Sequence, residues 1–260
     1  MHPRLLQFGH LVLPTYGVLL ALGLIASLLI CVHTARLLSI DKDKLWNLAL
    51  LAIVVTIAGA KLLVAAVRWP HDSTRGFTFS PNSVPGAFLS GMVMAIVACW
   101  WYASRALLPF RRAADALAPA MALGSATAAV ACLESGCDFG TPSHVPWAVV
   151  YTSPFADPDT PLGVPLHPTQ VYMSAIQFSL FVLLLWLLYR PHRDGEIIGA
   201  WLFLAGLSSF FLGFLRGDSG YRELFGGVIT LSQAIAVTMV LLGGCLWLRR
   251  GEVLEASHAG

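Results

Sequence analysis

The stretch from Cys132 to Tyr172, CLESGCDFGTPSHVPWAVVYTSPFADPDTPLGVPLHPTQVY, collects acids, histidines and thiols without a single lysine or arginine. His167 is its group best suited to moving a proton near neutral pH, and Gln170 and Tyr172 add two polar groups within the next five positions. Glu134 and Asp138 flank Gly136 and Cys137, where carboxylates can orient a substrate or pair with Lys61 or Arg216. Arg216 and Asp218 stand in FLGFLRGDSGYRE, and the planar fork of an arginine matches a phosphate. Lys61, behind the small residues of TIAGAK, is a second cation. Together these residues suit the handling of an anionic head group at a membrane surface. Each also has a plainer reading: Lys61 as a side chain reaching for the interface, Arg216 as an interfacial anchor, His167 as a packing residue. His144, Cys137 and His167 could share zinc, but their spacing does not demand it, so neither a metal nor a cofactor is expected. Cys31, Cys99 and Cys245 lie in apolar runs as small core residues, and Cys132 and Cys137 could be linked in an oxidising compartment.

The elements that position these residues follow from composition. A chain with 57% hydrophobic and 12% charged residues and a mean hydropathy of +0.73 is too apolar for a soluble globule. Seven stretches are long and apolar enough to span a bilayer: 11–32, 45–67, 84–102, 116–133, 168–189, 197–215 and 225–248. The expectation is an all-α polytopic protein, a single seven-helix domain over 1–250, with a disordered cytoplasmic tail over 251–260. The fourth stretch is rich in Ala, Gly, Ser and Thr, which predicts a helix packed among others. The first contains Pro14 and Tyr16 and lacks a basic leader, so it reads as a retained helix. Lys and Arg residues concentrate in alternate loops. By the positive-inside rule this puts the N-terminus outside, the C-terminus in the cytoplasm and the Cys132–Tyr172 stretch on the outer face. The outer loops 69–83 and 140–166 are long enough to build a small cap. No internal repeat, low-complexity tract or nucleic-acid signal is present.

His167-Pro168-Thr169-Gln170-Val171-Tyr172, with Pro146-Trp147-Ala148-Val149 upstream, resembles the H-P-S/T-Q-L-Y element of the prolipoprotein diacylglyceryl transferase family. The likeness extends along the chain. Thr15-Tyr16-Gly17 is similar to the family's Trp-Tyr-Gly element, and Ala58-Gly59-Ala60-Lys61 to its glycine-rich segment. Ala118-Pro119-Ala120 resembles the start of its fourth helix, Phe214-Leu215-Arg216-Gly217-Asp218 its F-R-x-P-D element, and Leu231-Ser232-Gln233 its last motif. The resemblance implies seven spans in a bacterial inner membrane and transfer of a diacylglyceryl group from phosphatidylglycerol to the lipobox cysteine of a preprolipoprotein, without a metal. It implies that Arg216 holds the phosphate with help from Lys61, that His167 is a base or orienting group, and that Tyr16 and Gln170 supply hydrogen bonds. Glu134 joins His167, Arg216 and Tyr16 as a catalytic candidate; Ser90, Asp138, Tyr172 and Asp218 join Lys61 and Gln170 as substrate-binding candidates.

Four positions depart from the family. Leu133-Glu134-Ser135-Gly136-Cys137-Asp138-Phe139 stands for a G-R-x-G-N-F run and has no arginine. Ser90 replaces a histidine, Met173 an acid after the H-P element, and Gly213 an acid of the sixth helix. A non-catalytic or altered-specificity lipid- or lipoprotein-binding relative therefore stands as the alternative. A transporter has nothing positive behind it, since neither paired broken helices nor a ring of like charges is present.

Overall fold

A computed structural model describes residues 4–8, 11–68, 87–218 and 230–258. The chain opens with two antiparallel strands, β1 (Arg4–Phe8) and β2 (Leu11–Pro14). Among the described residues seven helices follow: α1 (Thr15–Leu37), α2 (Lys42–Arg68), α3 (Ala87–Arg105), α4 (Phe110–Ser135), α5 (Thr169–Leu188), α6 (Glu196–Gly213) and α7 (Leu231–His258). Between α4 and α5 lie the short antiparallel strands β3 (Val149–Val150) and β4 (Pro165–Leu166). Among the described residues, α1, α2, α4, α5 and α6 are long and apolar enough to cross a membrane. The all-α membrane architecture read from composition is the one found.

Proline and aspartate set where the helices begin. Pro14, Pro109 and Pro168 immediately precede α1, α4 and α5, places where a missing N–H costs no helical bond. Pro14 is extended and disfavours helix at the residue before it. The first span consequently starts at Thr15, and 11–14, expected to be helical, form β2 instead. Asp41 accepts the N–H groups of Asp43 and Lys44 at 2.9 and 3.3 Å, capping α2. At the other end of the chain α7 is helical as far as His258, past the point where a disordered tail was expected; Glu252, Leu254, Glu255 and Ala256 suit a helix. The loop 69–83 and the start of the seventh stretch, 225–229, lie outside the described residues.

The small-residue helix is central, as its composition predicted. α4 buries eight alanines together with Asp115, Pro119 and Cys132 and packs on α1, α5 and α6. Its contact with α1 is close enough that a Cβ on Gly23 would fall 2.1 Å from Thr127 Oγ1. α2 packs mainly on α3, and α6 on α7.

Two carboxylates of α4 and its end hold α6 at both of its ends. Fully buried Asp115 accepts the backbone N–H of Gly195 (2.5 Å) and of Ile198 (2.8 Å), capping α6 from a neighbouring helix. Asp138, just past the C-terminus of α4, binds Arg216, just past the C-terminus of α6. The two helices therefore run in the same direction, and the polar residues of interest gather where both stop.

Candidate functional site at the ends of α1, α4 and α6

The site grows out of the way α4 terminates. Gly136 takes the left-handed conformation (φ 91°) and donates its N–H to Cys132 O at 2.8 Å. Asp138 is also left-handed, at φ 56°, a conformation non-glycine residues adopt infrequently. Residues 139–143 then run extended between two other segments. Gly217 N donates to Phe139 O and Thr141 N to Leu215 O, both at 2.8 Å; across the strip, His167 N donates to Thr141 O at 3.0 Å and Ser143 N to Pro165 O at 2.9 Å. Arg216 and His167, 49 positions apart by number, thus flank one strip of backbone. The fit requires glycine, because a Cβ on Gly140 would lie 2.4 Å from His167 O.

The strip belongs to a cap. Phe139, Tyr151 and Leu166 form its small core, with Val149 and Val164 packed against them. Thr160 Oγ1 donates to Gly136 O at 2.9 Å and Asp157 N to Ser135 O at 2.7 Å, stitching the far side of the loop to the end of α4. Tyr151 donates its hydroxyl to Leu133 O at 3.2 Å. Burial, reinforced by the nearby Cys137, pushes this phenol well above its ordinary range and keeps it a donor. The expectation of a cap from loop 140–166 holds.

At the centre, Arg216 is gripped by two acids. Its Nε donates to Asp218 Oδ1 at 2.9 Å, and its Nη2 to Asp218 Oδ2 at 2.6 Å and to Asp138 Oδ1 at 2.5 Å. Burial works against the guanidinium charge, but Asp218 and Asp138 outweigh it and hold Arg216 protonated above its normal range. Nη1 takes part in none of these three bonds. Of the pairings open to Asp138 in the sequence, the one with Arg216 is made. Half-buried Tyr16, on the first turn of α1, lies within electrostatic reach of Cys132, Cys137 and Asp138, which brings it to the same place.

The remaining candidates divide by position. His167 carries a buried Nδ1 with no hydrogen-bond partner among the described residues, a polar atom with capacity to spare. Its ring lies 6.3 Å from that of Tyr172, whose hydroxyl accepts Trp147 Nε1 at 2.6 Å. Gln170 is buried and uses its amide on Cys137 O (2.6 Å) and the Tyr151 hydroxyl (3.2 Å), so it braces the site from behind. Glu134, on the last turn of α4, is within electrostatic reach of Tyr151. Lys61 and Ser90 belong to the α2–α3 junction, where Ser90 Oγ donates to Gly59 O at 3.4 Å and Gly59 meets Gly91.

The sequence reading missed Asp115 as the anchor of α6, Tyr151 as the centre of the cap, and Cys132 as a neighbour of Asp138. Asp115 had one local signal, an acid three positions past Arg112 inside a run of alanines, where burial without a partner is costly. Cys132 Sγ lies 3.6 Å from Asp138 Oδ2 and Cys137 Sγ 3.2 Å from Ser135 Oγ.

Residues 3–249 match the family model described as prolipoprotein diacylglyceryl transferase. The chain belongs to the prolipoprotein diacylglyceryl transferase family. Its relatives include the phosphatidylglycerol–prolipoprotein diacylglyceryl transferases of Clostridium tetani (27% identical, covering 94% of this chain and 95% of that protein) and Finegoldia magna (27%, 90% of each). That of Pseudomonas fluorescens is 30% identical over 62% of this chain and 60% of its own length. Family membership makes the cluster at the shared ends of α1, α4 and α6 the natural candidate for the family's chemistry.

Proposed function

We propose that this protein transfers a diacylglyceryl group from phosphatidylglycerol to the lipobox cysteine of a preprolipoprotein in the bacterial inner membrane. The observation that carries this reading is the convergence of Arg216, Asp138 and Tyr16 at the ends of three packed helices in a chain matched almost end to end by the family model. Arg216, fixed by its two carboxylates, meets the phosphate through Nη1, and His167 on the other side of the 139–143 strip offers its Nδ1, which has no partner among the described residues, as base or orienting group. Tyr16 supplies a hydrogen bond at the reacting end; Glu134 is a further catalytic candidate, and Lys61, Ser90 and Tyr172 are candidates for contacting the substrate. The lipid's tails remain among the helices, and the acceptor's sulfur displaces glycerol phosphate to form a thioether.

Orientation follows the positive-inside rule. Arg36, Lys42, Lys44, Arg105, Arg111, Arg112, Arg190, Arg193, Arg249 and Arg250 fall on the side opposite Arg216, which puts the N-terminus and the cap outside and the C-terminus in the cytoplasm. An extracytoplasmic reporter fused after Gly163 should be active. For the activity, membranes containing the protein are incubated with labelled phosphatidylglycerol and a lipobox peptide. Labelled peptide, together with rescue of a strain depleted of its own transferase, is the expected result. Absence of both, with folded protein present in the membrane, would refute the assignment and favour a lipid-binding relative without turnover.

A further inference from the structure

Two thiols and a carboxylate sit together at the C-terminal end of α4. We propose that Cys132, Cys137 and Asp138 form a three-ligand site for zinc or a similarly soft divalent cation, with the fourth position open to the acceptor's thiol. Only the identity of that fourth ligand rests on the transferase reading.

The three ligand atoms lie close enough to converge on one ion. One ligand atom from each residue lies within 4.8 Å of the other two. Bonds of about 2.3 Å to sulfur and about 2.1 Å to oxygen, at the tetrahedral angle, place the two ligand atoms roughly 3.6 Å apart. The Cys132 Sγ to Asp138 Oδ2 separation is 3.6 Å. Thiolates select zinc and its soft neighbours over magnesium or calcium.

The surroundings orient the ligands as the outer shell of a metal centre does. Asp138 has its other oxygen, Oδ1, held by Arg216 Nη2 at 2.5 Å, the kind of second contact that aims a ligating carboxylate. Gln170 Nε2 binds Cys137 O at 2.6 Å, and Thr169 Oγ1 binds Asp138 O at 2.7 Å. The left-handed backbone at Asp138 (φ 56°) is a strained choice for a residue with a side chain. An ion can enter, since the Asp138 side chain is 45% exposed.

Loading balances simply: the divalent cation replaces two thiol protons, which pass to solvent. Three protein ligands leave the open position typical of catalytic rather than structural sites. An acceptor thiol entering it loses its proton to solvent and binds as thiolate, the nucleophilic form. Its sulfur lone pair then forms the C–S bond to the glyceryl carbon as that carbon's C–O bond breaks, the electron pair leaving on glycerol phosphate. No oxidant or reductant is involved. Such a site would supply thiolate activation in a chain whose G-R-x-G-N-F equivalent has no arginine.

The test uses the full chain in detergent, reduced and stripped of metal under anaerobic conditions, then titrated with cobalt(II). One cobalt per chain with a thiolate-to-cobalt charge-transfer band is expected. Cys132→Ser and Cys137→Ser should each reduce that band by half or more, Asp138→Asn should weaken binding about tenfold or more, and Cys245→Ser should leave the band unchanged. Thermal unfolding of each variant separates a lost site from a lost fold. A lipobox cysteine peptide should then raise the band by about half, from two thiolates to three, while its serine counterpart does not. No thiolate band in the folded protein, a band that survives loss of either cysteine, or no response to the cysteine peptide would overturn the proposal. Failure of the transferase reading registers differently, as an intact cobalt band without thioether product.

Discussion

Asp115→Ala removes both acceptors at the start of α6 and leaves the N–H groups of Gly195 and Ile198 without their partner. A donor stripped of its partner in a buried setting costs about 1–3 kcal/mol, which would give roughly 2–6 for two. Water can reach a helix end near the interface, and cap deletions measure about 0.5–2 kcal/mol; the expectation is therefore roughly 2–4 kcal/mol. Asp115→Asn keeps one carbonyl acceptor in nearly the same volume and should lose about half as much, including the favourable charge at a helix N-terminus, worth about 0.3–1 kcal/mol. Denaturant- or heat-induced unfolding of the purified variants in one detergent measures the series. The order wild type, Asn, Ala is predicted, with transferase activity falling alongside because Arg216 follows directly on the end of α6. An Asp115→Ala protein within about 0.5 kcal/mol of wild type, the range of inconsequential surface changes, would refute the view that α4 anchors α6 through this side chain.

Other substitutions probe the remaining joints. Gly140→Ala places a methyl group 2.4 Å from His167 O; the resulting shift of order 1 Å between the two flanks of the strip should cost about a hundredfold in turnover, read as product formation by folded protein. Gly23→Ala collides with Thr127 Oγ1 and should destabilise the α1–α4 contact by about 1–3 kcal/mol, with Thr127→Ala restoring a measurable part in the double variant's unfolding midpoint. Gln170→Leu leaves Cys137 O and the Tyr151 hydroxyl without its amide and should cost about 1–3 kcal/mol, seen as earlier unfolding and faster proteolysis of the cap.

Much of the architecture was legible because a membrane chain advertises its spans by length and apolarity, and because prolines and glycines mark their ends. Pro109, Pro168, Gly136 and Gly195 bracket α4 to α6 closely. The pairing of Asp138 with Arg216 was legible as one of several options, since a charge at a span end needs a partner or water. The exceptions share a cause. β2 was lost inside an apolar run because hydropathy does not distinguish strand from helix, and only Pro14 argued for a break. Asp115 hid among alanines because its partners are backbone N–H groups 80 and 83 residues away, which no local pattern reveals. Gln170 matched a motif expected to bind substrate, and the motif gave no sign that its Nε2 also braces Cys137 O and the Tyr151 hydroxyl. Cys132 and Asp138 looked unrelated until the left-handed turns at Gly136 and Asp138 folded one back toward the other.

The central claim, that the cluster around Arg216 and His167 handles a phospholipid's phosphate while a thioether forms, is tested most directly by mass spectrometry of a lipobox peptide incubated with the purified protein and a phosphatidylglycerol-containing lipid mixture. A peptide heavier by one diacylglyceryl group is predicted for the intact chain, with little or none from folded Arg216→Ala and a marked reduction from His167→Ala. Unmodified peptide from the intact, folded chain, or equal product from all three, would contradict it.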